Sequence, residues 1–254
     1  MRLQDKVAVI TGAASGMGLA MATRFAAEGA RVIAGDWNAQ RLDAAVARIQ
    51  ADGGTITGAQ GNIADQETAE HLIDLALSTY GRLDILCNNA GVMDYMQGVG
   101  ELSDDIWRRV MSINLDGPMF TCRKAVPHMV AQGSGSIINI ASTAAIRGGA
   151  AGVAYTAAKH GLVGLTRNTA WMYAGKGIRC NAICPGGTNT NIAETMTPER
   201  IDAAGAGRAG AFAALIPAML ESADIAALAL FLASDESRYI NGAIIPADAG
   251  WTAV

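Results

Sequence analysis

Short apolar runs alternate with longer amphipathic segments along almost the whole chain. The runs carry few polar residues, which is typical of parallel strands covered on both faces. The segments between them repeat apolar residues at helical spacing, and Gly29 marks the end of the first. The pattern predicts strands over Lys6–Thr11, Arg31–Gly35, Thr55–Gly58, Leu83–Cys87, Ser136–Ile140, Ile178–Ile183 and Gly242–Pro246. It predicts helices over Gly16–Glu28, Ala39–Ala51, Gln66–Tyr80, Ser103–Val130, Val153–Ala174 and Ala223–Ala233.

This alternation predicts an α/β fold with a parallel sheet and helices on both of its faces. We expect a single doubly wound (Rossmann-type) domain over residues 1–254, with about seven strands. Residues 188–221 depart from the rhythm because they are rich in Ala, Gly and Met and match no strand–helix unit. Two interpretations of this segment stay open: a mobile helical insertion that covers a substrate cleft, or a helix pair that only packs.

Composition and charge exclude several classes of protein. The chain has 254 residues, of which 51% are apolar and 17% charged, so it is too hydrophobic for disorder. The net charge of −4 and the lack of a basic stripe argue against nucleic acid as a partner. No apolar run approaches the ~20 residues of a membrane span, and the first residues lack the core of a signal peptide. We expect a soluble cytoplasmic protein.

The cysteines show no spacing that is typical of a metal site. Cys87, Cys122, Cys180 and Cys184 contain no Cys-x-x-Cys pair, and the histidines stand far from them. We therefore expect no metal, and cysteines that behave as small buried apolar residues in a reducing compartment.

A glycine-rich turn between the first predicted strand and helix is a candidate phosphate site. Its glycines let the backbone turn tightly and approach a pyrophosphate, which sits at the positive end of the following helix. The strand before it and the helix after it supply the context that glycine spacing alone lacks. The candidate residues are Gly12, Ser15, Gly16, Met17 and Gly18.

Asp36 follows the second predicted strand, where a carboxylate can accept hydrogen bonds from the adenosine ribose hydroxyls. The same carboxylate repels a 2′-phosphate. The next residue is Trp37 and not a cation, although the long side chain of Arg41 on the following helix can extend toward a 2′-phosphate. The sequence therefore favours NAD over NADP.

Tyr155 and Lys159 share one face of a predicted helix, because residues four apart are neighbours there. Chemistry at a carbonyl or alcohol needs a group that exchanges a proton with the oxygen. A cation about 5 Å away supplies about 3 kcal/mol, which is most of what a tyrosine needs to titrate near neutral pH. We expect Lys159 to lower the pKa of Tyr155.

Several motifs occur in an order that resembles the short-chain dehydrogenase/reductase family. They are the turn Thr11–Gly18, Asn88–Gly91, Asn114, Ser142, the Tyr155/Lys159 pair and Pro185-Gly186. The resemblance runs from about residue 5 to residue 250, nearly the whole chain.

The resemblance implies a role for each matching residue. Tyr155 is the general acid/base, Ser142 binds the substrate oxygen, and Lys159 binds the nicotinamide ribose while lowering the pKa of Tyr155. Asn114 positions a water that relays protons from Lys159. The implied cofactor contacts beyond those above are Asn62, Ile63, Asn89, Ala90, Gly91, Tyr155, Lys159, Pro185, Gly186, Thr188 and Thr190. The implied substrate contacts are Ser142, Ala144, Tyr155, Gly186, Ile192 and Met196.

Two cofactor positions depart from the family pattern. Asn62 stands where an Asp is common, and its amide oxygen can still accept from the adenine amino group. Thr188 occupies a position that is often Ile or Val, and we expect its main-chain contact to survive.

The variable loops predict a small, mostly apolar or cyclic ketone or secondary alcohol as substrate. Three alternatives stay open. A 3-oxoacyl chain on an acyl carrier protein is demoted by the lack of cations over 129–136, although Arg123 and Lys124 lie on the preceding helix. A non-catalytic dinucleotide sensor does not need Tyr155 or Ser142. A nucleotide-sugar epimerase usually carries a larger C-terminal domain.

Apolar residues extend beyond one stripe on two predicted helices, Ser103–Val130 and Val153–Ala174. Excess apolar helix surface is typical of burial against another subunit. The pattern predicts an oligomer, and the family resemblance implies a homotetramer.

Overall fold

Seven parallel strands form the central sheet of the computed structural model, which describes residues 1–253. Their order across the sheet is β3-β2-β1-β4-β5-β6-β9. The strands are β1 (Val7–Thr11), β2 (Arg31–Asp36), β3 (Thr55–Gln60), β4 (Ile85–Asn88), β5 (Gly135–Ile140), β6 (Ile178–Pro185) and β9 (Ile244–Ala247). Two further short strands, β7 (Thr188–Asn189) and β8 (Leu220–Glu221), pair with each other outside this sheet. The expected α/β fold is confirmed.

Helices cover both faces of the sheet. They are α1 (Gly16–Ala27), α2 (Ala39–Ala51), α3 (Gln66–Tyr80), α4 (Asp104–Met111), α5 (Gly117–Gln132), α6 (Val153–Tyr173), α7 (Ala203–Ala213) and α8 (Ser222–Ala233). Successive side chains of a strand point to opposite faces, so one apolar strand feeds two cores. Ala8 and Ile10 of β1 join the cluster beneath α1 and α8, whereas Val7 and Val9 join the cluster beneath α3 and α5.

Large side chains from the helices complete the two cores. Phe25 and Leu230 fill the first, and Ile73 and Met129 fill the second, all of them without exposed surface. Burying such a side chain contributes about 1.5–3 kcal/mol before the entropy of ordering it is counted. The same clusters explain why the strands read as continuous apolar runs.

The strand order reverses at β1, which lies between β2 and β4. Chain connections leave in opposite directions at this point, and a crevice opens beyond the carboxyl ends of the strands. Thr11 ends β1 and Asn88 ends β4. The glycine-rich turn and the Asn88–Gly91 motif therefore meet at one edge of the sheet.

The helix predicted over Ser103–Val130 is present from Asp104 to Gln132, but it is not a regular α-helix throughout. The chain instead forms α4, a π-helical turn over Ser112–Asp116, and then α5. Asn114 lies in the π turn, and its side chain accepts from the backbone N–H of Val92 at 2.9 Å and donates to the Val92 carbonyl at 2.8 Å. Such turns often occur at functional sites. The wider turn places Asn114 against Val92, in the loop that follows β4.

The segment 188–221 contains more than helix. Its two ends are held together by the β7–β8 pair, and Asn189 Nδ2 donates to Glu221 Oε1 across that pair. Between them lie short 3₁₀ turns and α7. A two-residue ladder needs only backbone groups, so the composition of the segment carried no signal for it.

Candidate active site

A cleft of about 680 Å³ opens at the switch point of the sheet. It collects most of the predicted cofactor contacts on one wall. Those residues are Gly12, Ser15, Gly16, Met17, Asp36, Trp37, Asn62, Ile63, Asn89, Ala90, Gly91 and Thr190. The cleft also includes residues that the sequence did not single out, among them Arg109, Ile113 and Glu194.

The glycine-rich turn has a shape that only glycine allows. Gly12 has φ +64° and Gly16 has φ +50°, both in the left-handed region. A Cβ on Gly18 would lie 1.9 Å from the Gly12 carbonyl oxygen. Helix α1 begins at Gly16, so the positive end of its dipole faces the cleft. This cradle fits the pyrophosphate of a dinucleotide.

The Asp36 carboxylate, which lines the cleft, is held in place by backbone groups. It accepts from the N–H of Ala14 at 3.0 Å and from the N–H of Asn38 at 3.0 Å. Arg41 nearby forms an ion pair with Glu194 at 2.8 Å and does not pair with Asp36. The Asn62 amide oxygen, expected to face adenine, accepts from the N–H of Ala64 at 3.1 Å.

Tyr155 and Lys159 are buried, and with the partly buried Ser142 they form a second group of predicted residues. Ser142 lies after β5, and its hydroxyl is close enough to Tyr155 to lower the pKa of the phenol. Lys159 Nζ lies 5.5 Å from the centre of the Tyr155 ring and donates to the Ile140 carbonyl at 2.8 Å. One helical turn of α6 thus places both side chains against the end of β5.

Gly91 connects this group to the cleft. A Cβ at Gly91 would lie 3.0 Å from Asn114 Oδ1 and 3.5 Å from Lys159 Nζ, while Gly91 itself lines the cleft. Asn114, Lys159, Ser142 and Tyr155 therefore meet as a set, next to the space where a cofactor fits.

The electrostatics differ from the expectation for Tyr155. Burial raises its pKa to about 12, against the lowering effect of the Ser142 hydrogen bond. Burial also lowers the pKa of Lys159 to about 8. The expectation that Lys159 lowers the pKa of Tyr155 was wrong in this structure. The desolvation of a buried phenolate outweighs the effect of the nearby cation.

Of the remaining predicted residues, only Ile192 lines the 680 Å³ cleft. Pro185 ends β6, and Gly186 donates to the Ala247 carbonyl at 2.9 Å. Thr188 lies in β7. Ala144 belongs to the apolar cluster of Tyr155, and Ile192 and Met196, of which Ile192 also borders the cleft, pack against it.

The sequence reasoning missed the role of two side chains near Tyr155. Asp94 is almost fully buried and accepts from the backbone N–H of Tyr155 at 2.9 Å. Arg109 donates to the carbonyls of Met93 and Thr195, at 3.1 and 2.8 Å, and so links the β4 loop to the segment 188–221. Neither residue belongs to a recognisable motif, and no local signal marks it.

Comparison with known proteins decides the family. The family model described as Enoyl-(Acyl carrier protein) reductase matches residues 12–252. The chain is 41% identical over 255 residues to 3beta-hydroxysteroid dehydrogenase 2 of Eggerthella lenta, covering 99% of this chain and 96% of that protein. The chain belongs to the short-chain dehydrogenase/reductase family. The expectation from the sequence motifs is confirmed.

Other members of this family agree over their full lengths. Short chain dehydrogenase adrF of Penicillium rubens is 41% identical over 260 residues, covering 99% of each chain. The crystal structure of levodione reductase superposes with a TM-score of 0.90 at 35% identity, covering 100% of both chains. A solved chain from Beutenbergia cavernae, with a TM-score of 0.87 and 35% identity over 99% of this chain and 98% of that one, holds NADP at low occupancy.

As a short-chain dehydrogenase/reductase, this protein is an oxidoreductase of alcohols and ketones that binds a nicotinamide dinucleotide and takes small molecules as substrates. Within residues 1–253, none of its helices combines the length and apolar character that crossing a membrane requires.

Proposed function

We propose that this protein interconverts a secondary alcohol and a ketone with NAD(H), with Tyr155 as the general acid/base. The observation that carries the proposal is the convergence of three side chains: Ser142 lies close to the buried Tyr155, and Lys159 Nζ lies 5.5 Å from the Tyr155 ring centre and next to Gly91 of the cleft. Binding alone does not require a hydroxyl pair of this kind, whereas proton exchange with a substrate oxygen does.

The chain's own residues handle the oxygen and its proton. The bound nicotinamide ring is the hydride donor or acceptor. In the reducing direction Tyr155 gives its proton to the carbonyl oxygen while Ser142 donates a hydrogen bond to the same oxygen. In the oxidising direction the Tyr155 phenolate takes the hydroxyl proton. The Lys159 ammonium offsets the phenolate charge. Gly91, which has both Lys159 and Asn114 as neighbours, marks the side by which we propose that the proton leaves.

Asp36 supports NAD over NADP. Its carboxylate is held in place by two backbone N–H groups, so it cannot turn away from a 2′-phosphate without losing them. Arg41, the nearby cation that can neutralise such a phosphate, is already paired with Glu194. Both observations favour a free ribose 2′-hydroxyl at this position.

The surroundings of Tyr155 support a mainly apolar substrate. The side chains packed around it include Ala144, Ala154, Ile192 and Met196. We propose a small, mostly apolar or cyclic ketone or secondary alcohol, which agrees in kind with the names of the Eggerthella hydroxysteroid dehydrogenase and of levodione reductase. We also propose that the segment 188–221, which supplies Ile192 and Met196, covers the bound substrate.

An acyl carrier protein is a weaker candidate partner. It is acidic and needs free cations near the entrance. Arg123 and Lys124 on α5 are instead paired with Glu70 and Asp74 of α3, at 3.5 and 2.8 Å. This pairing leaves less positive charge for a carrier.

The deciding experiment follows the absorbance of reduced nicotinamide with a panel of cyclic and steroidal ketones and alcohols. We expect turnover by the wild type, and a loss of about 100-fold or more in Tyr155→Phe. Tyr239→Phe, at an exposed tyrosine, is the matched control. Wild-type activity in Tyr155→Phe refutes the acid/base assignment. Cofactor binding without turnover of any substrate supports a sensor instead.

We further propose a homotetramer in the cytoplasm. Trp171 and Met172 on α6 are 83% and 62% exposed, which is unusual for large apolar side chains unless another subunit covers them. The cysteines are free and buried, as suits a reducing compartment. Analytical ultracentrifugation of the wild type and of Trp171→Glu tests the assembly, since a monomeric wild type refutes it.

A further inference from the structure

Helix α6, which carries Tyr155, begins without a capping side chain of its own. Its N-cap residue is Gly152, and the first N–H groups of a helix lack partners within the helix. The loop Met93–Gln97, which is distant in sequence, supplies hydrogen-bond acceptors for several of these N–H groups. Asp94 accepts from the N–H of Gly152 at 3.2 Å and of Tyr155 at 2.9 Å, and the Gln97 carbonyl accepts from Val153 at 2.9 Å.

The contact between Asp94 and the helix leaves no free space. A Cβ at Gly152 would lie 2.6 Å from Asp94 Oδ2, so only glycine lets the carboxylate approach the helix end. Asp94 is 1% exposed, and within residues 1–253 it takes part in no salt bridge. Its charge is instead stabilised by backbone N–H donors and by the positive end of the α6 dipole.

The same carboxylate shapes its own loop. Asp94 Oδ1 also accepts from the N–H of Met96 at 3.0 Å. Met96 has φ +60°, a backbone conformation that residues other than glycine rarely adopt. Met96 in turn contacts the segment 188–221, because a Cβ at Gly205 would lie 1.8 Å from its carbonyl oxygen. The Tyr95 carbonyl accepts from the N–H of Asp202 at 2.9 Å.

We propose that Asp94 is a positioning residue: it fixes the start of α6, and with it the Tyr155 hydroxyl, relative to the segment 188–221. This rests on the proposed role of Tyr155 as the acid/base. A bond to the backbone N–H of Tyr155 itself transmits any movement of the loop directly to the phenol. A shift of about 1 Å in a reacting group can cost about 100-fold in rate.

Asp94 also acts on Tyr155 through its charge. The titratable or polar groups that face the phenol are Asp94 from the loop, Lys159 from α6, Cys184 from β6 and Ser142 from the turn after β5. The negative carboxylate disfavours a phenolate and is one of the causes that raise the pKa of Tyr155. Removing that charge therefore moves the titration of Tyr155 to lower pH.

Asp94→Asn in the full chain tests both effects. The amide keeps the size of the side chain but places N–H groups opposite a backbone donor. We expect kcat to fall about 100-fold with little change in KM for the cofactor, and the acidic limb of the alcohol-oxidation pH profile to move to lower pH. The matched control is Asp224→Asn, which removes a similar cap from α8, where Asp224 accepts from the N–H of Glu221 at 2.9 Å. It should leave kcat and the pH profile unchanged.

The outcomes separate the two proposals. If Tyr155→Phe is inactive but Asp94→Asn keeps the wild-type kcat and pH profile, the role of Asp94 is refuted and the proposed function stands. If Tyr155→Phe is active, the proposed function itself is refuted. A third outcome is that the activity of Asp94→Asn falls only in proportion to the fraction of protein that is folded, while the pH profile stays unchanged. That result shows a purely structural role for Asp94 and also refutes the proposal.

Should Asp94→Asn fail to fold, Gly152→Ala decides, because its added methyl pushes the carboxylate off the helix without removing it. We expect the same loss in kcat from this variant, with a smaller change in the pH profile because the charge remains. Wild-type kinetics in Gly152→Ala overturn the proposal.

Discussion

The Nζ of Lys159 lies 5.5 Å from the centre of the Tyr155 ring, yet the pKa of Tyr155 is raised to about 12. Both side chains are buried, and burial disfavours the charged form of each. The ammonium directs its hydrogen bond to the Ile140 carbonyl and not to the phenol. Tyr155 is therefore protonated at neutral pH in this state.

Replacing Lys159 by methionine should abolish turnover but stabilise the fold. Burial lowers the pKa of Lys159 from 10.5 to about 8, which corresponds to a cost of about 3 kcal/mol below pH 8. The lost hydrogen bond to Ile140 offsets about 1 kcal/mol of the gain. We expect the free energy of unfolding at pH 7 to rise by about 2 kcal/mol, measured by urea denaturation without cofactor.

The pH dependence of unfolding tests the direction of this stability change. Between pH 8 and 10.5 the unfolded state binds more protons at Lys159 than the folded state, so the stability contributed by this group rises with pH. The advantage of Lys159→Met should therefore vanish above pH 10.5. A variant that is less stable than wild type at pH 7 contradicts this account. Lys176→Met, at an exposed lysine, serves as the control.

Ser142→Ala should slow catalysis and move its pH dependence upward. The hydroxyl of Ser142 lowers the pKa of Tyr155, so its loss raises that pKa further. We expect kcat to fall about 100-fold and the acidic limb of alcohol oxidation to move to higher pH, opposite to the effect of Asp94→Asn. Steady-state rates measured from about pH 6 upward, at intervals of about half a pH unit, report both the fall in kcat and the shift of the acidic limb. Ser78→Ala on the exposed side of α3 is the control, and a downward shift in Ser142→Ala would argue against its contact with the phenol.

Asp36→Ala should relax the choice of cofactor. It removes the charge that repels a 2′-phosphate, and the ratio of kcat/KM for NADP to that for NAD should rise roughly tenfold to 100-fold. Asp43→Ala, an exposed acid on α2, should leave the ratio unchanged. A wild type that already prefers NADPH would refute the assignment of NAD.

Glu194→Gln should act in the same direction through Arg41. The amide releases Arg41 from its ion pair, and the free guanidinium can then reach a 2′-phosphate. Both partners are about half exposed, so we expect only about a fivefold rise in the same ratio. The double variant with Arg41→Ala should return the ratio to the wild-type value. A rise that persists in the double variant would show that Glu194 acts without Arg41.

Local patterns were enough for most of the sheet and for the phosphate turn. The β1 residues alternate between two apolar faces, and Gly12, Gly16 and Gly18 follow directly, so spacing along the chain specified the site. The Tyr155–Lys159 pair was equally local, because four residues of helix bring two side chains to one face. The π-helical turn within the predicted helix over Ser103–Val130 was not local, since Asn114 bonds to the backbone of Val92, which is distant in sequence.

By itself the sequence determined the α/β architecture, the family and the residues that gather at the switch point, since these depend on short-range periodicity and on motifs. Only the tertiary structure decided the direction of the pKa shift of Tyr155, the pairing of Arg41 with Glu194 and the cap that Asp94 places on α6. Each depends on how deeply a group is buried and on which distant backbone or side chain reaches it. Those quantities are sums over the whole fold, and no window of sequence contains them.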